Sequence, residues 1–195
     1  MPSIEYDLGF LRAAADTLED YLLSNELYWQ LGIRPPAGET PYPPLTLGEL
    51  YLTQARLQAR KLTGQPREEL DQLNDQIDSI HARWRVAWGR KAARGFEARL
   101  KLWRDFLEEY RENPSANDDR YAYEVRRRVM LYFLSEAADE IPQQELDLLG
   151  ALDRVLKGEL IPGDFVWENE LVNGFPPTTF WYLYGKLKGD SPGGD

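Results

Sequence analysis

The chain reads as all-α: an elongated antiparallel bundle of five to six helices with one very long helix. Three observations predict it. Residues 67–112 run without a proline, with Leu70, Leu73, Ile77, Ile80 and Trp84 at alternating spacings of three and four, the heptad signature of a helix seam. Leucines recur at helical spacing on both sides of that segment. Charge is laid out in blocks along it: five acids and no bases over 68–78, eight Arg or Lys against the single acid Glu97 over 83–104, then Asp105, Glu108, Glu109 and Glu112. Such alternation sets partner and register between packed helices.

The elements follow in order. Leu8, Leu11, Ala15, Leu18 and Leu22 predict a first helix over residues 5–23, ended by Ser24 and Asn25. Residues 32–44 hold five prolines and two glycines, a density that excludes helix and central strand and implies a strap over the bundle. Thr46 is an N-cap candidate with Glu49 as its capping-box partner. A helix follows to about Thr63 with Leu47, Leu50, Leu57 and Leu62 inward, and Gly64 and Pro66 open the next.

The long helix would span about 69 Å if straight, against roughly 40 Å for a compact chain of this size. The seam steps by four through Trp84, Trp88, Ala92, Phe96 and Leu100, then resumes at Trp103, Leu107 and Tyr110. Gly89 and Gly95 lie in that run, so the bundle is elongated or the helix bends there. Asn117 is a cap candidate for a helix to about Ala138 carrying Tyr121, Val125, Val129, Tyr132 and Phe133. Pro142 opens another to about Leu156. Residues 165–184 then hold seven aromatics, with a short helix after Pro176 and Pro177. One bundle domain over 1–188 and a disordered tail over 189–195 complete the expectation.

Composition excludes several functions. The chain has no cysteine, which removes disulfides, thiolate nucleophiles and cysteine metal sites. A formal charge of −10 argues against nucleic-acid binding by the chain as a whole. Glu5 and Asp7 stand where a signal peptide needs basic and apolar residues, and no apolar run is long enough to span a membrane. A cytoplasmic protein is expected. His81, with Asp78 three residues before it, is the only histidine, and it reads as a helix-surface residue rather than a catalytic or metal group.

Glu108, Glu109 and Glu112, followed by Glu136 and Asp139, resemble the carboxylate pattern of the MazG-like all-α nucleotide pyrophosphohydrolases. The resemblance implies that these five hold magnesium from two neighbouring helices. An antiparallel hairpin turning near residue 115 instead separates Glu109 from Glu136 by roughly 25–30 Å. It sets Glu136 and Asp139 near Arg90, Lys91 and Arg94, where salt bridges would fix register. The basic segment 83–104, with Arg126, Arg127 and Arg128, offers a phosphate stripe, but its aromatics follow the core seam.

The aromatic C-terminal segment, with Trp167, Phe175, Phe180, Trp181 and Tyr184, caps the bundle or offers an interaction surface. Together these features predict a non-enzymatic interaction or scaffolding protein, with a protein partner or self-association through the long helix. They call for no cofactor.

Overall fold

Seven α-helices and one two-stranded sheet make up the described residues, 2–189, of a computed structural model. Helix α1, Ile4–Leu23, is capped by Ser3, whose hydroxyl accepts from Tyr6 N. It buries Leu8, Leu11, Ala15, Leu18 and Leu22. The proline-rich segment forms no regular element beyond a bridge between Trp29 and Leu45. Tyr42 lies on Tyr6 and Phe10 of α1, and Tyr6 Oη donates to Pro41 O at 3.3 Å, so the strap is fastened to that helix.

Helix α2, Leu47–Ala59, starts at Thr46, which accepts from Glu49 N at 3.1 Å. Only this half of the capping box forms, because the Glu49 carboxylate turns toward Arg99 and Arg126.

The long helix is two helices. Helix α3, Gln65–Arg83, and helix α4, Arg85–Glu112, meet at Trp84, where φ is −114° and ψ is 31°. Hydrogen bonds from Trp84 N to Ile80 O and from Trp88 N to Trp84 O carry the chain through, so the rod is redirected rather than ended. The bend falls five residues before Gly89. Both glycines stay helical: Gly95 faces Leu134 of helix α6, Arg126–Ala137, and Gly89 faces Asp139 in the turn just after it. A Cβ at residue 95 would meet Leu134 Cδ2 at 3.3 Å, and one at residue 89 would collide with the Asp139 carboxylate. These glycines serve close helix approach. They also show that α4 and α6 are antiparallel.

Asn117 caps the other way from expectation. Its amide donates to Glu109 O and Asn113 O and closes the end of α4. The helix foreseen after it divides into the short α5, Tyr121–Glu124, and α6. Helix α7, Gln143–Glu159, leads directly into strand β1, Leu160–Phe165, which pairs antiparallel with β2, Tyr184–Leu187. The sheet was not among the expected elements: Gly185, at φ 147°, lets the Ile161 carbonyl approach closely. Between the strands come two 3-10 turns, Asn169–Gly174 and Trp181–Leu183, in place of the short helix expected after Pro177.

One buried apolar cluster joins α1, α2, α3, α4, α6, α7 and the C-terminal segment. No helix among the described residues is long and apolar enough to cross a membrane. Beyond Gly189, the expected tail lies outside the described residues.

Candidate functional site

The hairpin of α4 and α6 separates the five carboxylates of the magnesium pattern. Glu108 lies 3.6 Å from Arg104, and Glu109 pairs with Arg120 at 2.8 Å, both toward the far end of α4. Asp139 sits against Gly89, twenty residues earlier on the same helix, roughly 30 Å away. Glu112 and Glu136 are exposed. Among the described residues no three acidic or histidine side chains are placed to share a metal ion.

The cross-helix salt bridges do not form either. Asp139 reaches the backbone of α4 beside Arg90, yet no described ion pair within 4 Å joins Arg90, Lys91 or Arg94 to Glu136 or Asp139. Lys91 is turned to the opposite side. It is 3% exposed, lies over the Tyr21 ring, and donates to Ser24 O and Glu26 O. Burial lowers its pKa and neighbouring Arg94 adds to the effect, while Glu26 partly offsets it. A lysine there satisfies the carbonyl of Ser24, the C-cap of α1, and that of Glu26 in the turn after it.

The three consecutive arginines have three different roles. Arg128 makes a paired contact with Asp153 at 2.8 Å and lies over Tyr182, tying α6 to α7 and the C-terminal segment. Arg127 donates to Leu102 O and pairs with Glu124. Arg126 stacks on Tyr123 and reaches Glu49. Trp88, Phe96 and Trp103 are at most 1% exposed, so nucleic-acid bases have no access to them.

What reaches the surface is a pair of charged stripes. On α3, Glu68, Asp71, Asp75 and Asp78 recur at spacings of three and four and are exposed. On α4, Arg90, Arg94 and Lys101 are exposed and in no described ion pair, with Glu97 among them and Arg104 at the end. Arg94, Lys101 and Arg104 line a groove of about 470 Å³ whose other wall includes Glu145 and Leu148 of α7. Burial, and then Glu97, raises the pKa of Glu145. The rod thus presents an acidic stripe before Trp84 and a basic stretch over residues 85–104 after it, with Asp105, Glu108, Glu109 and Glu112 at its far end.

The C-terminal aromatics face inward. Phe175 is fully buried, and Trp167 and Phe180 are nearly so. Trp181 and Tyr184 are half-buried against the same core. Trp167 donates to Ala122 O, Tyr184 to Phe175 O, and Tyr121 to Tyr182 O. This packing makes the segment a cap, because its rings need the apolar faces of α2, α5 and α6.

Two polar constellations carry no motif in the sequence. Asp7, fully buried, receives Arg56 through both oxygens and Arg60 at 2.6 Å, while Arg60 also reaches Glu170 and Pro2 O. Burial opposes the Arg60 charge, and its hydrogen bonds to Glu170 and Asp7 outweigh that and raise its pKa. The signal available was Glu49, Thr53, Arg56 and Arg60 repeating at helical spacing on α2. The second constellation is a cleft where α2, α3, α4 and α6 meet, around Tyr51, Gln54, Asp78 and His81. Compared with known protein families, curated proteins and solved structures, the chain matches none.

Proposed function

We propose that this protein is a non-enzymatic interaction module that self-associates through the α3–α4 rod. The supporting observation is that exposed stripes of opposite charge lie end to end on α3 and α4, on either side of the bend at Trp84. A second copy laid antiparallel about a two-fold axis sets the acidic half of each rod against the basic half of the other. That arrangement is self-complementary, as an isologous interface requires. The interior charges (Asp7 with Arg56 and Arg60, Arg128 with Asp153) are already paired within the chain. The stripes are not, apart from Arg67 with Asp71, and Arg104 with Asp105 and Glu108.

Each exposed pair contributes about 0.2–1 kcal/mol, so several must act together, with Leu146 and Leu148 of α7 beside the groove adding apolar contact. On this reading the partner is a protein, in the cytoplasm, and neither a nucleic acid nor a membrane.

The sign of the salt dependence tests it. Two copies at −10 each repel at long range, so non-specific association strengthens as salt screens that repulsion. Association through complementary stripes weakens with salt. Sedimentation equilibrium at rising sodium chloride is expected to show a dimer dissociating. A monomer at every salt concentration, or a dimer favoured by salt, contradicts the proposal.

A further inference from the structure

The bend at Trp84 leaves a cleft of about 220 Å³ between α2 and the upper part of the rod. Its walls are aromatic. Tyr51 faces Phe133 at 6.1 Å between centroids and Trp88 at 6.1 Å, and His81 lies over Trp88 at 4.4 Å. Ile77 and Ala55 complete the apolar lining.

The polar groups at this cleft are Tyr51, Gln54, Gln58, Asp78 and His81, of which only Asp78 is an acid. Trp88 Nε1 donates to Tyr51 Oη at 2.8 Å, which orients the phenol. Gln54 commits its amide nitrogen to Asn74 Oδ1 at 2.9 Å, leaving its carbonyl oxygen without a protein donor. Asp78 lines the cleft, is exposed, and takes part in no described ion pair or hydrogen bond. No lysine or arginine lines the cleft, and the one charge acting on the Tyr51 hydroxyl is that of Asp78. Burial, and then that carboxylate, raises the Tyr51 pKa, against the hydrogen bond from Trp88.

The geometry points to a binding site for a small organic cation, an alkylammonium head group. Aromatic faces attract a cation through their quadrupole, most strongly where water is partly excluded. A single carboxylate at the lip adds Coulomb attraction. An N–H of the cation meets the Gln54 carbonyl or the Asp78 carboxylate, and its methyl groups meet Tyr51, Phe133 and Ile77. The cleft excludes anions by the same charge. Asp78 also stands on the acidic stripe, so the site is tested on the monomer.

The lone histidine supplies the readout, because a single imidazole gives a single, unambiguous Hε1 signal. The full-length chain, dilute enough to be monomeric, is titrated with trimethylammonium chloride, and in parallel with sodium chloride and with tert-butanol. The inference predicts a saturable shift of the His81 signal with trimethylammonium in the millimolar range and a much weaker response to tert-butanol, its neutral near-isostere. Asp78→Asn, an exposed change that leaves the fold in place, weakens binding by about tenfold. Equal responses to the cation and the alcohol would reduce the cleft to an apolar crevice and overturn the proposal. So would equal responses to trimethylammonium and sodium chloride, an absent response, or an unchanged affinity in Asp78→Asn.

Discussion

Lys91 on α4 donates to Ser24 O, on the residue that caps the C-terminus of α1, at 2.9 Å, and to Glu26 O in the turn after it at 2.7 Å. A cation on one helix thereby closes the negative end of another. Lys91→Met removes both hydrogen bonds, at a cost of about 1–3 kcal/mol, measurable by urea denaturation. Because burial lowers the Lys91 pKa below its ordinary 10.5, the unfolded chain binds the extra proton in the interval between the two values. Its contribution is fully present above the ordinary lysine value and is lost as pH falls through the lowered one. The stability of the wild type relative to Lys91→Met is therefore expected to increase as pH rises through that interval.

Asp7 holds two arginines inside the protein, and its removal leaves Arg56 without an ion partner and Arg60 with Glu170 alone. Asp7→Ala is expected to cost about 3–5 kcal/mol, enough to remove much of the stability of an ordinary domain. Replacing the set together, as Asp7→Leu with Arg56→Met and Arg60→Met, removes the stranded charges and restores most of the loss. Chemical denaturation of the two variants checks this; a larger loss in the triple variant would show that the ion network itself stabilises the fold.

Burial raises the pKa values of Tyr21, Tyr121 and Tyr182 above the ordinary value of 10. The folded state then keeps protons that the unfolded state gives up. The stability these groups contribute is fully present below the ordinary tyrosine value and falls as pH rises beyond it. Their ionisation, followed as tyrosinate absorbance in the near ultraviolet, should coincide with loss of helical circular dichroism. Ionisation of all the tyrosines before any loss of helix would contradict the burial described here.

Truncation after Gly163 removes Leu171, Phe175, Tyr182 and Leu183, each fully buried. The remaining helices then expose the apolar faces that these residues cover. The truncated chain is expected to lose cooperative unfolding and to bind hydrophobic dyes. A sharply unfolding truncated chain would make the C-terminal segment an accessory rather than a cap.

Periodicity made the helices legible, and chemistry made only part of the rest so. Leu70, Leu73, Ile77, Trp88, Phe96, Leu100 and Trp103 announce their burial by spacing alone, and Thr46 announces a helix start by its position before Leu47. Gly89 and Gly95 misled because glycine in a helix has two physical meanings, a weak point and a close approach, and only the neighbour Asp139 or Leu134 tells them apart. Asn117 misled in the same way, since one side chain serves either end of a helix. The sheet was hidden because Pro162 and Gly163 signal a turn as readily as an edge strand. Asp7, Arg56 and Arg60 are far apart in sequence, and the Tyr51 cleft gathers residues from four helices; no local pattern marks such a meeting.

Exchanging the charges tests self-association through the rod most directly. One variant carries Asp71→Lys and Asp75→Lys, so of the two halves of its rod one has a neutral stripe, Glu68 and Asp78 against two lysines, and the other stays basic. The other carries Arg94→Glu and Lys101→Glu, so both are acidic. All four positions are exposed, and unchanged circular dichroism would show that each variant folds. Sedimentation of each variant alone is predicted to give monomer, and of an equimolar mixture to give a dimer containing both chains. Dimers in the separate variants, or monomers in the mixture, would contradict the account.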